Sequence, residues 1–360
     1  MRILDKYILK EFLGPFLFGV AAFTAIFVGS DTLLKIADFI AKYGATPLIA
    51  AKLFLLAIPR IVIYTFPMAI LLGSLMCFSR LSSASELIVM RTSGQSFVRL
   101  AMPVFVTAFC ISVGTVAFNE YVVPWTNNEY SRIVREEVQR NMKPASAEHV
   151  VIRDVQAGVI EHLLYARNYD DATRKLNNIT IQEFEKDQVV RVEKAPYAEW
   201  RGGTWYIKNG TIYELKEDGT EHTLQFEEQT IPYASQPQDI VKSQKNLDEM
   251  TIRELNQERM ILREAHEDTA TFDMEIQQRF SLPFASFIFA LMGSPLGVQR
   301  QRSSSIGFGI SVLVIFFYYA TMTLSGSLGR SHAIIPELAV WIPNFIAILV
   351  SAYLIRRTSK

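Results

Sequence analysis

Apolar and polar positions are unevenly spread along the 360-residue chain. Uncharged, mostly apolar runs cover residues 12–30, 61–79, 100–119, 280–299, 303–329 and 338–355. A helix needs about 20 such residues to cross a hydrocarbon core of roughly 30 Å, so each run predicts a membrane span. The second span is expected to start earlier, near Leu53, which puts Arg60 close to an interface to which a long cation snorkels. The first run follows Arg2, Lys6 and Lys10, as a signal-peptide core does. It is long for such a core and no clear Ala-x-Ala site follows it, so it is read as a retained span.

Between the third and fourth runs the pattern changes for about 150 residues, too long for an ordinary connection, and this stretch is expected to be a domain. β-Branched and aromatic residues recur in Val150-Val151-Ile152, Ile179-Thr180-Ile181, Trp205-Tyr206-Ile207 and Thr211-Ile212-Tyr213. Turn signals separate them: Arg201-Gly202-Gly203, Asn209-Gly210 and Glu217-Asp218-Gly219. Several short strands at this spacing predict a small antiparallel sandwich or open roll. Residues 127–140 read as a helical extension of the third span, and residues 250–267 as a helix leading back to the fourth. The expected organisation is therefore spans one to three in residues 1–125, a β domain with helical flanks in 126–270, and spans four to six in 271–360.

The formal net charge is zero, yet the charges of the short loops are segregated. With both termini inside, the inner positives number eleven: Arg2, Lys6, Lys10, Arg80, Arg91, Arg99, Arg300, Arg302, Arg356, Arg357 and Lys360. The short outer segments hold four, Lys35, Lys42, Lys52 and Arg330. Positive charge is retained on the cytoplasmic side, so the termini and residues 81–99 are expected in the cytosol and the β domain outside.

No nucleotide-binding Gly-x-x-x-x-Gly-Lys-Ser/Thr loop, zinc-holding His-Glu-x-x-His pair or Gly-x-Ser-x-Gly elbow is present. The chain is expected to bind no metal, no cofactor and no nucleic acid, and not to be an enzyme. The histidines at 149, 162, 222, 266 and 332 are scattered and read as surface or loop residues. Cys77 and Cys110 fall inside spans and read as buried packing; the β domain holds no cysteine and must fold without disulfides. Asn178-Ile179-Thr180 and Asn209-Gly210-Thr211 match the glycosylation pattern, but their strand-turn contexts explain them.

Residues 81–94, Leu-Ser-Ser-Ala-Ser-Glu-Leu-Ile-Val-Met-Arg-Thr-Ser-Gly, form a polar-apolar segment between the second and third spans, expected to be helical over about 82–94. Its run from Ser85 to Gly94 closely resembles the Ser-Glu-Leu-x-Val-Met-x-x-Ser-Gly segment of the lipopolysaccharide export permeases, the LptF/LptG family. Other landmarks agree: Leu4-Asp5-Lys6-Tyr7-Ile8, Phe66-Pro67-Met68-Ala69, Thr251-Ile252-Arg253-Glu254-Leu255, Arg279-Phe280-Ser281-Leu282-Pro283 and Pro295-Leu296-Gly297. The resemblance covers the whole chain, with specific motifs in the membrane part and likeness in kind in the β domain. It implies six transmembrane helices with an inserted, jellyroll-like periplasmic domain in the inner membrane. It also implies a permease half that pairs with a second half and sits on a cytosolic ABC ATPase dimer, which uses the ATP. Lipopolysaccharide would pass from the inner membrane to a bridge of periplasmic β-jellyroll proteins of the LptC/LptA type.

In the resembled family the acid at Glu86 docks into the ATPase, and Leu87, Met90, Arg91, Ser93 and Gly94 accompany it on the coupling segment. A local reading stands beside this one. Ser83-Ala84-Ser85-Glu86 has the spacing of a capping box, in which Ser83 caps the helix and Glu86 reaches back to its amide. Gly94 reads as a helix stop needing positive φ. Asp31, Lys35, Asp38 and Lys42 share one helical face and read as a ladder of ion pairs. The resemblance, leaning toward LptG, instead implies that Lys35 and Lys42 meet head-group phosphates.

Gly307, Gly309, Gly326 and Gly329 around Phe316-Phe317-Tyr318-Tyr319 read as close packing of the fifth span or as a movable gate. Arg132, Arg135 and Arg140 alternate with Glu129, Glu136 and Glu137 and read as a salt-bridged helix surface. Other function classes are a secondary transporter, a carrier of another lipid or glycolipid, and a membrane-anchored β scaffold. The uncharged span centres argue against the first, and the segment 81–94 has no purpose in the last.

Overall fold

The computed structural model describes residues 3–138, 147–156, 159–170, 173–185, 188–215, 221–231, 245–264, 268–298 and 304–359. It divides into two compact units, Gln139–Asn246 and the remainder. In the remainder, α1 (Ile3–Phe27), a π-helical turn (Val28–Thr32) and α2 (Leu33–Tyr43) form one continuous helix, followed by α3 (Pro47–Ser83), α4 (Glu86–Thr92) and α5 (Phe97–Ile133). After the sheet unit come a 3-10 turn (Leu247–Glu249), α6 (Ile252–Glu264), α7 (Ala270–Gly297), α8 (Ser304–Arg330) and α9 (Pro336–Ser359). Six helices, Ile3–Tyr43, Pro47–Ser83, Phe97–Val138, Ala270–Gly297, Gly307–Arg330 and Pro336–Ser359, have the length and apolarity of spans.

Local chemistry sets the helix ends. Gly44, at φ +66°, stops α2 in the left-handed conformation that glycine adopts without steric cost. Thr46 caps α3, its hydroxyl accepting from the Ile49 amide at 3.4 Å, and Pro47 occupies the first turn, where no backbone donor is needed. The second span thus begins at Pro47, earlier than Leu53, because the cap and the proline together nucleate the helix there. The first, third and fourth spans likewise extend beyond their uncharged runs, since polar turns continue the helices.

Helices in lipid gain nothing from apolar burial against one another, so close contact and interhelical hydrogen bonds decide their packing. A Cβ on Gly293 of α7 would overlap Ser74 Oγ and lie 2.8 Å from the Leu71 carbonyl oxygen of α3. One on Gly297 would lie 2.5 Å from the Leu75 carbonyl. Asn344 of α9 is fully buried and fully engaged: its amide donates to Ser281 O at 2.8 Å and Oγ at 2.9 Å, and its Oδ1 accepts from Tyr318 Oη at 2.9 Å. On α8, a Cβ on Gly329 would lie 2.8 Å from the Ala339 Cβ, one on Gly307 would meet only the movable end of Leu75, and nothing lies within 4 Å of one on Gly309. Cys77 is buried as expected, but Cys110 is exposed on α5.

A polar web closes one end of this bundle. Asn127 and Asn128 of α5 donate to the Asp248 and Glu249 carbonyls at 2.8 Å, and Ser131 donates to the Glu249 carboxylate at 2.6 Å. Glu249 is 2 % exposed and also faces Arg135 at 3.4 Å, while Arg60 pairs with Asp248. Arg279 of α7, 4 % exposed, donates to the Leu247 carbonyl at 2.9 Å and to Glu275 at 3.4 Å. Arg132 pairs with Glu129 and Glu136, as expected of a salt-bridged surface; Arg135 turns inward to Glu249, and Arg140 lies outside the described residues.

The other unit is one six-stranded antiparallel sheet in consecutive order, β1 (Ala147–Gln156), β2 (Val159–Asp170), β3 (Lys175–Glu185), β4 (Gln188–Arg201), β5 (Thr204–Leu215) and β6 (Glu221–Ile231). Of the two expected architectures this is the open roll. Its core gathers Leu164, Tyr169, Ile181 and Ile207 around the fully buried Trp205. Gly202 and Gly203, with φ +57° and +90°, make the β4–β5 turn as predicted. Asn209-Gly210 does not turn the chain. It lies inside β5, whose register with β4 and β6 runs through it unshifted; Asn209 is at φ +52°, and Gly210 is covered by the Phe226 ring of β6, which takes the place of the missing side chain. Asn178, at φ +49°, makes a matching irregularity in β3. β5 is consequently longer than the short strands expected, because the supposed turn at Asn209-Gly210 is absorbed within it. Glu217-Asp218-Gly219 lies outside the described residues.

The α3–α7 contact yields a paired prediction. Gly293→Ala is expected to destabilise the protein by about 1–3 kcal/mol, the usual cost of overpacking, and to lower its melting temperature in detergent. Gly14→Ala, where nothing lies within 4 Å of the new Cβ, is expected to leave it unchanged.

Candidate functional site

The segment singled out between the second and third spans adopts a shorter helix than predicted. Leu81, Ser82 and Ser83 are the last residues of α3, which continues because Leu81 is buried and Ser82 Oγ donates to the Val298 carbonyl at 2.9 Å. The chain then turns through Ser85, held at φ +59°, and α4 starts at Glu86 with no side-chain cap. The expected capping box is therefore absent: Ser83 ends one helix and cannot begin the next. Gly94, at φ +86°, ends the segment as predicted.

Packing divides α4 into two faces. Leu87, 2 % exposed, and Met90 pack into the core made by α1, α3 and α5. On the other side Ile88 and Val89 are 44 % and 63 % exposed, an apolar step at the end of a bundle. Arg91 is half-buried, and the exposed Ser93 donates to the Val89 carbonyl at 2.9 Å. Ser96 then caps α5 by accepting from the Arg99 amide at 3.3 Å.

Glu86 is half-buried and its Oε2 accepts a 2.7 Å hydrogen bond from Tyr7 Oη of α1. A bond to a charged acceptor is stronger than a neutral one, so the carboxylate is oriented by a residue 79 positions away. Two ion pairs flank it: Asp5 with Arg99 at 2.8 Å, and Glu11 with Arg80. Sequence reasoning noted Leu4-Asp5-Lys6-Tyr7-Ile8 only as a landmark. The available signal was the placement of Asp5, Tyr7 and Glu11 among the lysines of the first turns of a helix that is apolar from Phe12 onward.

The two lysines belong to the other end of the same continuous helix. Lys35 pairs with Asp31 at 2.8 Å and Lys42 with Asp38 at 3.0 Å, all four side chains being about 60 % exposed. Exposed pairs at this spacing contribute only about 0.3–0.5 kcal/mol each, so the lysines are weakly held and can exchange partners. Tyr7 and Lys35 are 28 residues apart along the helix, about 40 Å at 1.5 Å per residue. The structure thus brings together Glu86, Leu87, Met90, Arg91, Ser93 and Gly94, and sets Lys35 and Lys42 apart from them.

Comparison with known proteins adds to this geometry. The sequence model of the family described as lipopolysaccharide export system permease LptF/LptG matches residues 6–357. The chain is 24 % identical to the lipopolysaccharide export system permease protein LptG of Haemophilus influenzae, over 99 % of both chains. It is likewise 24 % identical to LptG of Escherichia coli K12 over 99 % of both. LptF of the same strain is 22 % identical, over 83 % of this chain and 80 % of that protein.

The absence of a Ser83 cap gives a direct test. Ser83→Ala is expected to change stability by no more than about 0.5 kcal/mol, as exposed substitutions usually do, where loss of a helix cap costs about 1 kcal/mol. Chemical denaturation monitored by circular dichroism in detergent distinguishes the two.

Proposed function

The chain belongs to the lipopolysaccharide export system permease family LptF/LptG, and from that membership we propose that it is the LptG-like half of an ATP-driven exporter. The observation that supports this most is α4, which offers an exposed apolar step and an oriented carboxylate at the end of a six-helix bundle. The chain carries no phosphate-cradling loop, so ATP hydrolysis is assigned to a separate cytosolic ATPase dimer. Ile88 and Val89 fill an apolar groove of that ATPase while Glu86 meets a cation in it. A second permease half of the LptF type completes the pair.

On this reading both termini are cytosolic, in accord with the positive charges of the inner loops. Lipopolysaccharide leaves the inner membrane between the two halves. Lys35 and Lys42 exchange their exposed aspartates for head-group phosphates, which an ammonium attracts as a point charge. The β unit then hands the lipid to periplasmic β-jellyroll proteins of the bridge.

Glu86→Gln keeps the shape of the side chain and removes its charge. It is expected to lower transport at least about tenfold, the scale of one lost charge-assisted contact, with weakened copurification of the ATPase. Wild-type transport by this variant would overturn the docking reading. Cysteines placed singly at Ser93 and Asn209, in a background without Cys77 and Cys110, are expected to label from opposite sides of the membrane; labelling of both from outside spheroplasts would overturn the assignment of opposite faces.

The lysines are tested by exchange of charges. Asp31→Lys with Lys35→Asp keeps the pair but moves the ammonium about 6 Å along the helix. Such swaps are expected to lose lipid crosslinking and transport at normal membrane levels, whereas Asp31→Asn and Asp38→Asn are tolerated. Normal transport by the swapped proteins would make the ladder purely structural.

A further inference from the structure

The acid at the start of α4 is held by neither its own helix nor the helices on either side of the loop. Ser85 is in the left-handed conformation and provides no cap, and the only described group that donates to the Glu86 carboxylate is the Tyr7 hydroxyl, on Oε2 at 2.7 Å. Oε1 accepts from no described residue and is left for a partner. Tyr7 is itself fixed, since its ring and Leu4 pack against the core cluster that also contains Leu87. On either side of it, Asp5 ties α1 to Arg99 at the start of α5, and Glu11 ties it to Arg80 at the end of α3. The first turns of α1 thus grip the loop on both sides and the acid at its centre.

We propose that Tyr7 is the positioning residue of Glu86: its hydroxyl sets the angle at which the carboxylate is presented, and through it the first helix receives the displacement of α4. This inference rests on the docking reading given above. Its mechanical basis is the helical path of Ile3–Tyr43, 41 residues or about 60 Å at 1.5 Å per residue, which runs unbroken in sequence through Pro15 and the π-helical turn Val28–Thr32. A push on Glu86 is thereby transferred to a helix whose far end carries Lys35 and Lys42. Of the helices joined at the loop, α1 is the least enclosed, 28 % of its apolar window being buried against 72 % for the second span and 44 % for the third, although Gly73 of α3 also brings it into close contact with Phe16.

The test uses the whole chain assembled with its second permease half and ATPase in proteoliposomes containing lipopolysaccharide. Tyr7→Phe removes the hydroxyl and keeps the ring. It is expected to preserve membrane level and copurification of the ATPase but to lower lipid transported per ATP hydrolysed about tenfold, the effect of losing one charge-assisted hydrogen bond. In a Glu86→Gln background the same change is expected to add nothing, because the two residues act as one unit. Glu86→Asp, which keeps the charge but withdraws it from Tyr7 by one methylene, is expected to match Tyr7→Phe and carries the test if the latter does not accumulate. Wild-type coupling in Tyr7→Phe or Glu86→Asp beside a defective Glu86→Gln overturns the positioning role alone. Losses that add in the double variant also overturn it, since they assign Tyr7 to packing. Wild-type transport by Glu86→Gln overturns the docking reading and this inference with it.

Discussion

Direct backbone approach between α3 and α7 is the contact from which the rest of the helical unit is built. In lipid, a helix pair separated by side chains gains little over the same helices bathed in hydrocarbon, so association depends on how near the backbones come. Gly293 and Gly297 allow α7 to lie against Leu71, Ser74 and Leu75 with no side chain between. The central apolar segments of both helices are 72 % buried, against 28 % for the first helix and 22 % for α8. Those two are therefore peripheral, presenting most of their apolar surface to lipid or to another protein. Buried polar groups reinforce the centre where they are answered, as Asn344 is by Ser281 and Tyr318.

The spans were legible because the pattern that marks them is a solvent requirement, uninterrupted apolar length, which needs no knowledge of neighbours. Gly94 and the Asp31–Lys35 and Asp38–Lys42 pairs were legible for a similar reason: positive φ and four-residue spacing are local properties. Where local chemistry competed with a distant contact, the distant contact prevailed. Ser83 has the spacing of a cap to Glu86, but burial of Leu81 and the Ser82 bond to Val298 carry α3 past it. Asn209-Gly210 has turn chemistry, but pairing on both sides and the Phe226 ring keep it within a strand. Tyr7 and Glu86 meet across 79 residues, and nothing in either neighbourhood announces the other. Arg279 was noticed only as part of a motif, because the carbonyl it answers belongs to a turn that follows the sheet unit.

That turn has a consequence for how such a chain can change over time. The helical unit is interrupted between Val138 and Leu247, yet the two sides of the interruption are bonded to each other through Asn128, Ser131, Arg135 and the buried Glu249. A segment inserted between two ends that are already bonded to each other leaves the closure of its host intact, which is the condition under which whole domains are gained, lost or exchanged. The sheet unit is in this sense a cassette. Its strands can diversify to suit new neighbours while the helices stay constrained by the close contacts of Gly293 and Gly297, so one chain can carry two independent histories of selection.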